Sequence, residues 1–330
     1  GLYNSSGANV MFSTFFLNTS ETSVGGIYST ASFSVMSSII ASSNGGNCGG
    51  VPMEGYSTGF STDATCAPLT VKTAPQINLG DLSGNPAYYP LLADSHAIDA
   101  DTSGMCVDAY YGTDIDQRGM TRPLDGDGDG TATCDMGSFE REEVTRITID
   151  SDSPEPSVTG QAVSVSVTVE AATGTASGTV DISGADTNCS ITLDDTASGS
   201  CDVTFTSSGS KTLTATYNGD TIHLGSTDTE AHTVNKAETT ITIGDATDPS
   251  VSGQEVDISF TVSPVSPGVG TPTGTVTLKG TEEMLCEDVA LTSGSGSCKV
   301  TFPRAGSYDL SAGYSGDSNF NSSSLEDPEV

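Results

Sequence analysis

The residues able to do chemistry are few in kind, and the tightest group is Asp125-Gly126-Asp127-Gly128-Asp129-Gly130. Carboxylates at alternate positions, followed by a glycine for the bend, begin the way a calcium loop begins. Such a loop closes on an acidic residue at its twelfth position, but here that position is Met136, with Asp135 one place early. Two readings stand: a calcium site on Asp125, Asp127, Asp129 and Asp135, with calcium the one cofactor to expect, or a solvated acidic loop. A second acidic set, Asp150, Asp152, Asp245 and Asp248, is another place for calcium, at domain joints.

Catalysis has less to stand on. Ser-His-Asp chemistry would need His96, His223 or His232, and none has a convincing nucleophile setting in the sequence. Glycosidase chemistry needs two carboxylates about 5 to 10 Å apart. With 43 acidic residues, any chosen pair is uninformative. No catalytic residue is assigned, and the chain is read as a non-enzyme.

The eight cysteines have no second Cys or His at metal-ligand spacing, so they read as disulfides of an oxidising, extracellular compartment. Cys189 with Cys201, and Cys286 with Cys298, each bracket a turn between strand-like runs and read as hairpin staples. Cys48 with Cys66 and Cys106 with Cys134 follow by elimination, although four cysteines allow three connectivities.

These residues sit in 330 positions, enough for two or three domains. Charged residues are only 16% of the chain, and the net charge is -33. That charge repels nucleic acid and anionic membranes. No apolar run reaches the roughly 18 residues of a membrane span, so no direct membrane insertion is expected. The partners expected are a cell-surface or matrix glycan or protein, or copies of the chain itself. The chain opens on Gly1 with no signal segment, and both ends read as cut from something longer.

A repeat organises the carboxy-terminal half. Val158-Thr159-Gly160-Gln161 returns as Val251-Ser252-Gly253-Gln254, Ser177-Gly178-Thr179-Val180 as Thr273-Gly274-Thr275-Val276, and Tyr217-Asn218-Gly219-Asp220 as Tyr314-Ser315-Gly316-Asp317. Apolar residues alternate in each copy, as in Val163, Val165, Val167, Val169 and in Val256, Ile258, Phe260, Val262. Period two with turn residues about every ten positions predicts a two-sheet sandwich. In the late turn, Tyr217 and Tyr314 are expected inward, Gly219 and Gly316 at positive φ, and Asp220 and Asp317 as turn caps. The segment 234–240 holds no Gly or Pro and predicts a stiff connection.

These signatures resemble the bacterial Ig-like repeat family of surface proteins, over roughly residues 150 to 330. The resemblance implies a spacer or adhesive stalk module outside the cell and no catalytic residues.

The first 145 residues differ, being rich in Ser, Asn and Gly. Gly1-Leu2-Tyr3 and Gly26-Ile27-Tyr28 open two segments, and Phe15-Phe16-Leu17 recurs as Ile39-Ile40-Ala41, 24 residues on. A period in the twenties suggests a β-solenoid. Further on come Leu91-Leu92-Ala93-Asp94-Ser95-His96-Ala97-Ile98-Asp99, Asp116-Gln117-Arg118-Gly119, Arg122-Pro123 and Cys134-Asp135-Met136-Gly137-Ser138-Phe139-Glu140. They resemble the carboxy-terminal signature of choice-of-anchor Q and polymorphic outer-membrane-like right-handed β-helix proteins, with His96, Met136 and Ser138 standing for the usual Pro, Ile and Ala. Arg118 and Arg122 are expected to pair with Asp99, Asp116 or Asp135 and pin this cap.

The expected chain is thus all-β: the end of a right-handed parallel β-helix with its cap (1–145), then Ig-like sandwiches at 146–236 and 237–330. The expected role is that of an adhesin or structural stalk at the cell surface. The alternatives are a self-assembling filament or sheath subunit and an accessory part of a β-helix carbohydrate-active enzyme.

Overall fold

The computed structural model describes every residue except 1, 6, 20–23, 54–56, 107–113, 245–248, 282 and 327–330. Asp245 and Asp248 therefore lie outside the described residues. At the amino-terminal end, strands of two to four residues form three parallel ladders. The first joins Leu2–Asn4, Ile27–Ser29 and Cys48–Gly50. The second joins Ala8–Met11 and Phe33–Met36. The third joins Thr14–Phe16, Ser38–Ala41, Gly59–Ser61 and Thr70–Val71.

The third ladder corrects the spacing read from the sequence. Phe15 pairs with Ile40 and Phe16 with Ala41, so the first two strands of all three ladders share a 25-residue offset and the apparent 24-residue repeat is one residue short. A one-residue slip turns every side chain to the other face, and the sequence pattern hid this because Ile39 and Ile40 are both fully buried. Ile40 joins Val10, Phe33 and Val35 inside the ladders. Ile39 faces the other way, onto Phe60 of the next rung and onto Ile77, Met136 and Phe139, which the segment after the ladders folds back to supply. Gly137 makes this contact, its N–H donating to Ser37 O at 2.8 Å. Its φ is 99°, and a Cβ there would lie 2.6 Å from Thr14 Oγ1.

Ion pairs hold the folded-back segment. Arg118 Nε lies 2.8 Å from Asp116 and its Nη1 2.5 Å from Glu142, as expected for Asp116. Arg122 instead meets Glu140 at 3.4 Å and donates to Gly137 O at 2.9 Å. Asp135 does not serve it with its carboxylate, which accepts the N–H groups of Asp99 and Arg141.

Two sandwiches follow. In the first, Arg146–Ser153, Ala162–Glu170 and Ser198–Thr204 form one sheet; Ser157–Val158, Ser226–Asn235, Gly209–Tyr217, Thr179–Ser183 and Cys189–Thr192 form the other. In the second, Thr239–Ile243, Glu255–Pro264 and Ser295–Thr301 face Met284–Ala290, Thr275–Lys279, Ser311–Tyr314 and Ser323–Glu326. Alternation carries both cores: Val163, Val165, Val167 and Val169, then Val256, Ile258, Phe260 and Val262, are all buried. Each such side chain contributes about 1.5–3 kcal/mol relative to exposure.

All four expected disulfides are present. The two in the sandwiches are not hairpin staples, however. Cys189 and Cys201 lie in different sheets, as do Cys286 and Cys298. The chain between each pair crosses from one sheet to the other, and a twelve-residue spacing fits that crossing as well as a hairpin.

Candidate functional site

The acidic loop is only partly solvated. Asp125 is 2% exposed, and its carboxylate gathers the N–H groups of Gly128 (2.7 Å), Asp129 (3.2 Å) and Gly130 (2.9 Å). Gly128 and Gly130 take positive φ to present them. Asp99 reaches the loop from another segment and accepts the N–H of Asp127 at 2.8 Å. Burial, reinforced by the charges of Asp127 and Asp125, pushes its pKa up to about 6. Oxygens of Asp99, Asp125 and Asp127 lie within 4.8 Å of one another. Of the four residues expected to bind calcium, Asp125 and Asp127 come together; Asp99 completes their group, and Asp129 and Asp135 are not part of it. Asp129 accepts Thr131 N–H, and Asp135 is buried 3.0 Å from Glu140 through its own N–H. Burial pushes Asp135 up and Glu140 to about 7. Asp99 went unread as a partner because 26 residues separate it from the loop.

The loop abuts a joint. Val144 N–H donates to Asp125 O at 3.1 Å, while Glu143 N–H donates to Ile222 O and Glu143 O accepts Leu224 N–H, both at 2.8 Å. The Glu143 carboxylate, fully buried, accepts Thr173 N–H and Oγ1–H. Thr145 Oγ1 donates to Leu224 O. The next joint repeats this scheme: Ala237 N–H donates to Asn319 O, Ala237 O accepts Asn321 N–H, and Thr239 Oγ1 donates to Asn321 O, each at 2.9 Å.

The repeated Tyr-x-Gly-Asp turns anchor both joints. Asp220 accepts N–H groups of Ile222, His223 and Ser177; Asp317 accepts those of Asn319, Phe320 and Thr273. Tyr217 and Tyr314 are buried, and Gly219 and Gly316 have φ of 80° and 76°, as expected. Among the differences between the copies, the first has His223 where the second has Phe320. His223 Nδ1 lies 2.9 Å from the Asp220 carboxylate, and its Nε2 3.1 Å from Thr173 O. Both nitrogens face acceptors, so the imidazolium fits. Burial opposes that charge, yet the Asp220 hydrogen bond and the Glu143 charge nearby raise its pKa.

A third cluster was not legible in the sequence. His232 Nδ1 lies 2.7 Å from both Asp152 and Glu155, and its Nε2 2.8 Å from Ser157 Oγ. Ser157, His232 and Asp152 have triad-like spacing, but Ser157 is wholly buried, so no substrate carbonyl can reach its hydroxyl. Asp150 instead accepts from Thr168 Oγ1.

The model of the bacterial Ig-like domain (group 3) matches residues 150–235 and 243–329, more than half of the chain. The chain belongs to that family. Its two group 3 Ig-like domains coincide with the two sandwiches, and the match leaves the ladders and the acidic loop outside it. No curated protein matches the chain. Among solved structures it is similar to invasin, a bacterial integrin-binding protein, at 15% identity over 55% of this chain and 38% of that one, with a TM-score of 0.40. It is also similar to the Yersinia pseudotuberculosis adhesin InvE at 13% identity over 56% of this chain and 57% of that one, TM-score 0.29. The Clostridium thermocellum CbhA fibronectin(III)-like modules match at 18% identity over 54% and 91%, TM-score 0.21. The chain thus spans well under two thirds of the invasin and InvE chains.

Proposed function

We propose that this chain is a non-catalytic segment of an extracellular surface protein and acts as a stiff stalk that carries or forms an adhesive surface. The ladders and the folded-back segment are, in this reading, the last coils and cap of a right-handed parallel β-helix. Parallel rungs that step by 25 residues and then by 21, each step common to the ladders that make it, with Asn4 Nδ2 donating to Ser29 Oγ between rungs and Tyr3 stacked on Tyr28, support the coil.

The observation that carries the reading is the repeated joint. Only residues 236–238 separate the strands of the two Ig-like domains, and Ala237 is fully buried and bonded into the second domain. Contacts also cross the joint directly: Val269 N–H donates to Thr159 O at 3.1 Å, Ser208 N–H to Asn319 Oδ1 at 3.1 Å, and Lys236 Nζ to Asp317 O at 2.6 Å. A linker held on both sides transmits orientation, which a spacer needs and a hinge does not.

Small-angle scattering tests this. The chain is expected to give one sharply bounded maximum dimension, and a Gly-Ser-Gly-Ser insertion between Lys236 and Ala237 should broaden the distance distribution. Equally broad distributions for both proteins would remove the stiff stalk.

A further inference from the structure

We propose that Asp152, Glu155 and His232 form a binding site for a divalent transition-metal ion of the zinc type. His232 is held as a ligand is held. Its side chain is fully buried and stacked on Phe205, ring centroids 4.9 Å apart and 14° from parallel, so the ring cannot swing away. Its Nε2 lies 2.8 Å from the buried Ser157 hydroxyl. That hydroxyl can accept from Nε2–H, which turns the Nδ1 lone pair toward the carboxylates.

Two carboxylate oxygens then sit 2.7 Å from one ring nitrogen. Nδ1 holds at most one proton, and its hydrogen-bond geometry is met by Asp152 and not by the equally close Glu155 oxygen. A metal ion can accept all three donors, which lie within 4.8 Å of one another. One imidazole nitrogen with two carboxylate oxygens suits zinc, at about 2.0–2.2 Å per ligand, and separates this cluster from the all-oxygen sites that calcium takes. A divalent ion would neutralise the two carboxylates, and among the described residues neither has a Lys or Arg ion-pair partner. The Glu155 side chain is 37% exposed, leaving a face where water can complete the coordination.

The site lies on a seam. Asp152 lies next to the end of a strand of one sheet, His232 belongs to the other sheet, and Pro154 and Pro156 restrict φ on either side of Glu155. An ion there would clamp the two sheets just before the joint at 236–238. The second domain contains no histidine, so the clamp belongs to the first alone.

The test uses the full chain, stripped with chelator and desalted, then titrated with zinc by calorimetry and with cobalt(II) by absorption. One zinc per chain is expected at this site. Glu155→Gln, a change on the exposed side that keeps an acceptor for Thr233 N–H, should weaken binding by about tenfold or more. Asp152→Asn should do the same, and both should alter the cobalt spectrum while far-ultraviolet circular dichroism stays unchanged. No zinc binding, or binding that both variants leave intact, overturns the proposal.

Discussion

His223 has an acceptor in front of each ring nitrogen, Asp220 on one side and Thr173 O on the other. Its pKa is raised in the fold, so the folded chain holds this proton more tightly than the unfolded chain does. The stability it contributes is complete below the ordinary histidine pKa of about 6.5 and is lost as pH rises through the folded value. Urea midpoints of the first domain should therefore fall between about pH 6 and pH 9. His223→Phe, the residue type the second copy carries at Phe320, should flatten that slope. An unchanged slope in the variant would show that the proton sits elsewhere. The Asp220 and Asp317 turns could be read from the sequence because the residues that form each turn are local, whereas the added bonds from Ser177 and Thr273, 43 and 44 positions away, could not. The His232 cluster could not, because Asp152 and His232 are 80 positions apart and only the closing of two sheets brings them together.

At the scale of elements, period-two alternation announced the sandwich strands, since residues such as Val163 and Val165 need only one buried face. It failed for Ser38–Ala41, which is buried on both faces because the folded-back segment covers the outer one, and so the ladder register was misread by one. The pairing of the sandwich cysteines was legible from their spacing, but their sheets were not, since a chain crossing between sheets and a hairpin have the same length. The inter-sheet position makes its own prediction. Replacing Cys189 and Cys201 by Ser should cost about 2–3 kcal/mol, as expected for a loop of this size. Hydrogen exchange should speed up in Cys189–Thr192, which ends its sheet at one edge and is tied across by the disulfide. Unchanged protection there would mean the disulfide does not hold the strand to the opposite sheet.

At the scale of the molecule, the chain is a succession of units whose connections are part of the units themselves. Glu143 to Thr145 and Ala237 to Thr239 each leave one unit already hydrogen-bonded into the next. The sequence hinted at this stiffness through the absence of Gly and Pro in 234–240, but the bonds from Thr159, Ser208 and Lys236 across the joint needed the fold. The net charge of -33 suits the proposed stalk, because like charges spread along its surface oppose collapse and self-association. Residual dipolar couplings measured in weakly aligned solution test the proposed stiff stalk most directly. Amides of both Ig-like domains should fit one alignment tensor with one magnitude; two tensors of clearly different magnitude would mean that the domains move independently and would contradict the stalk.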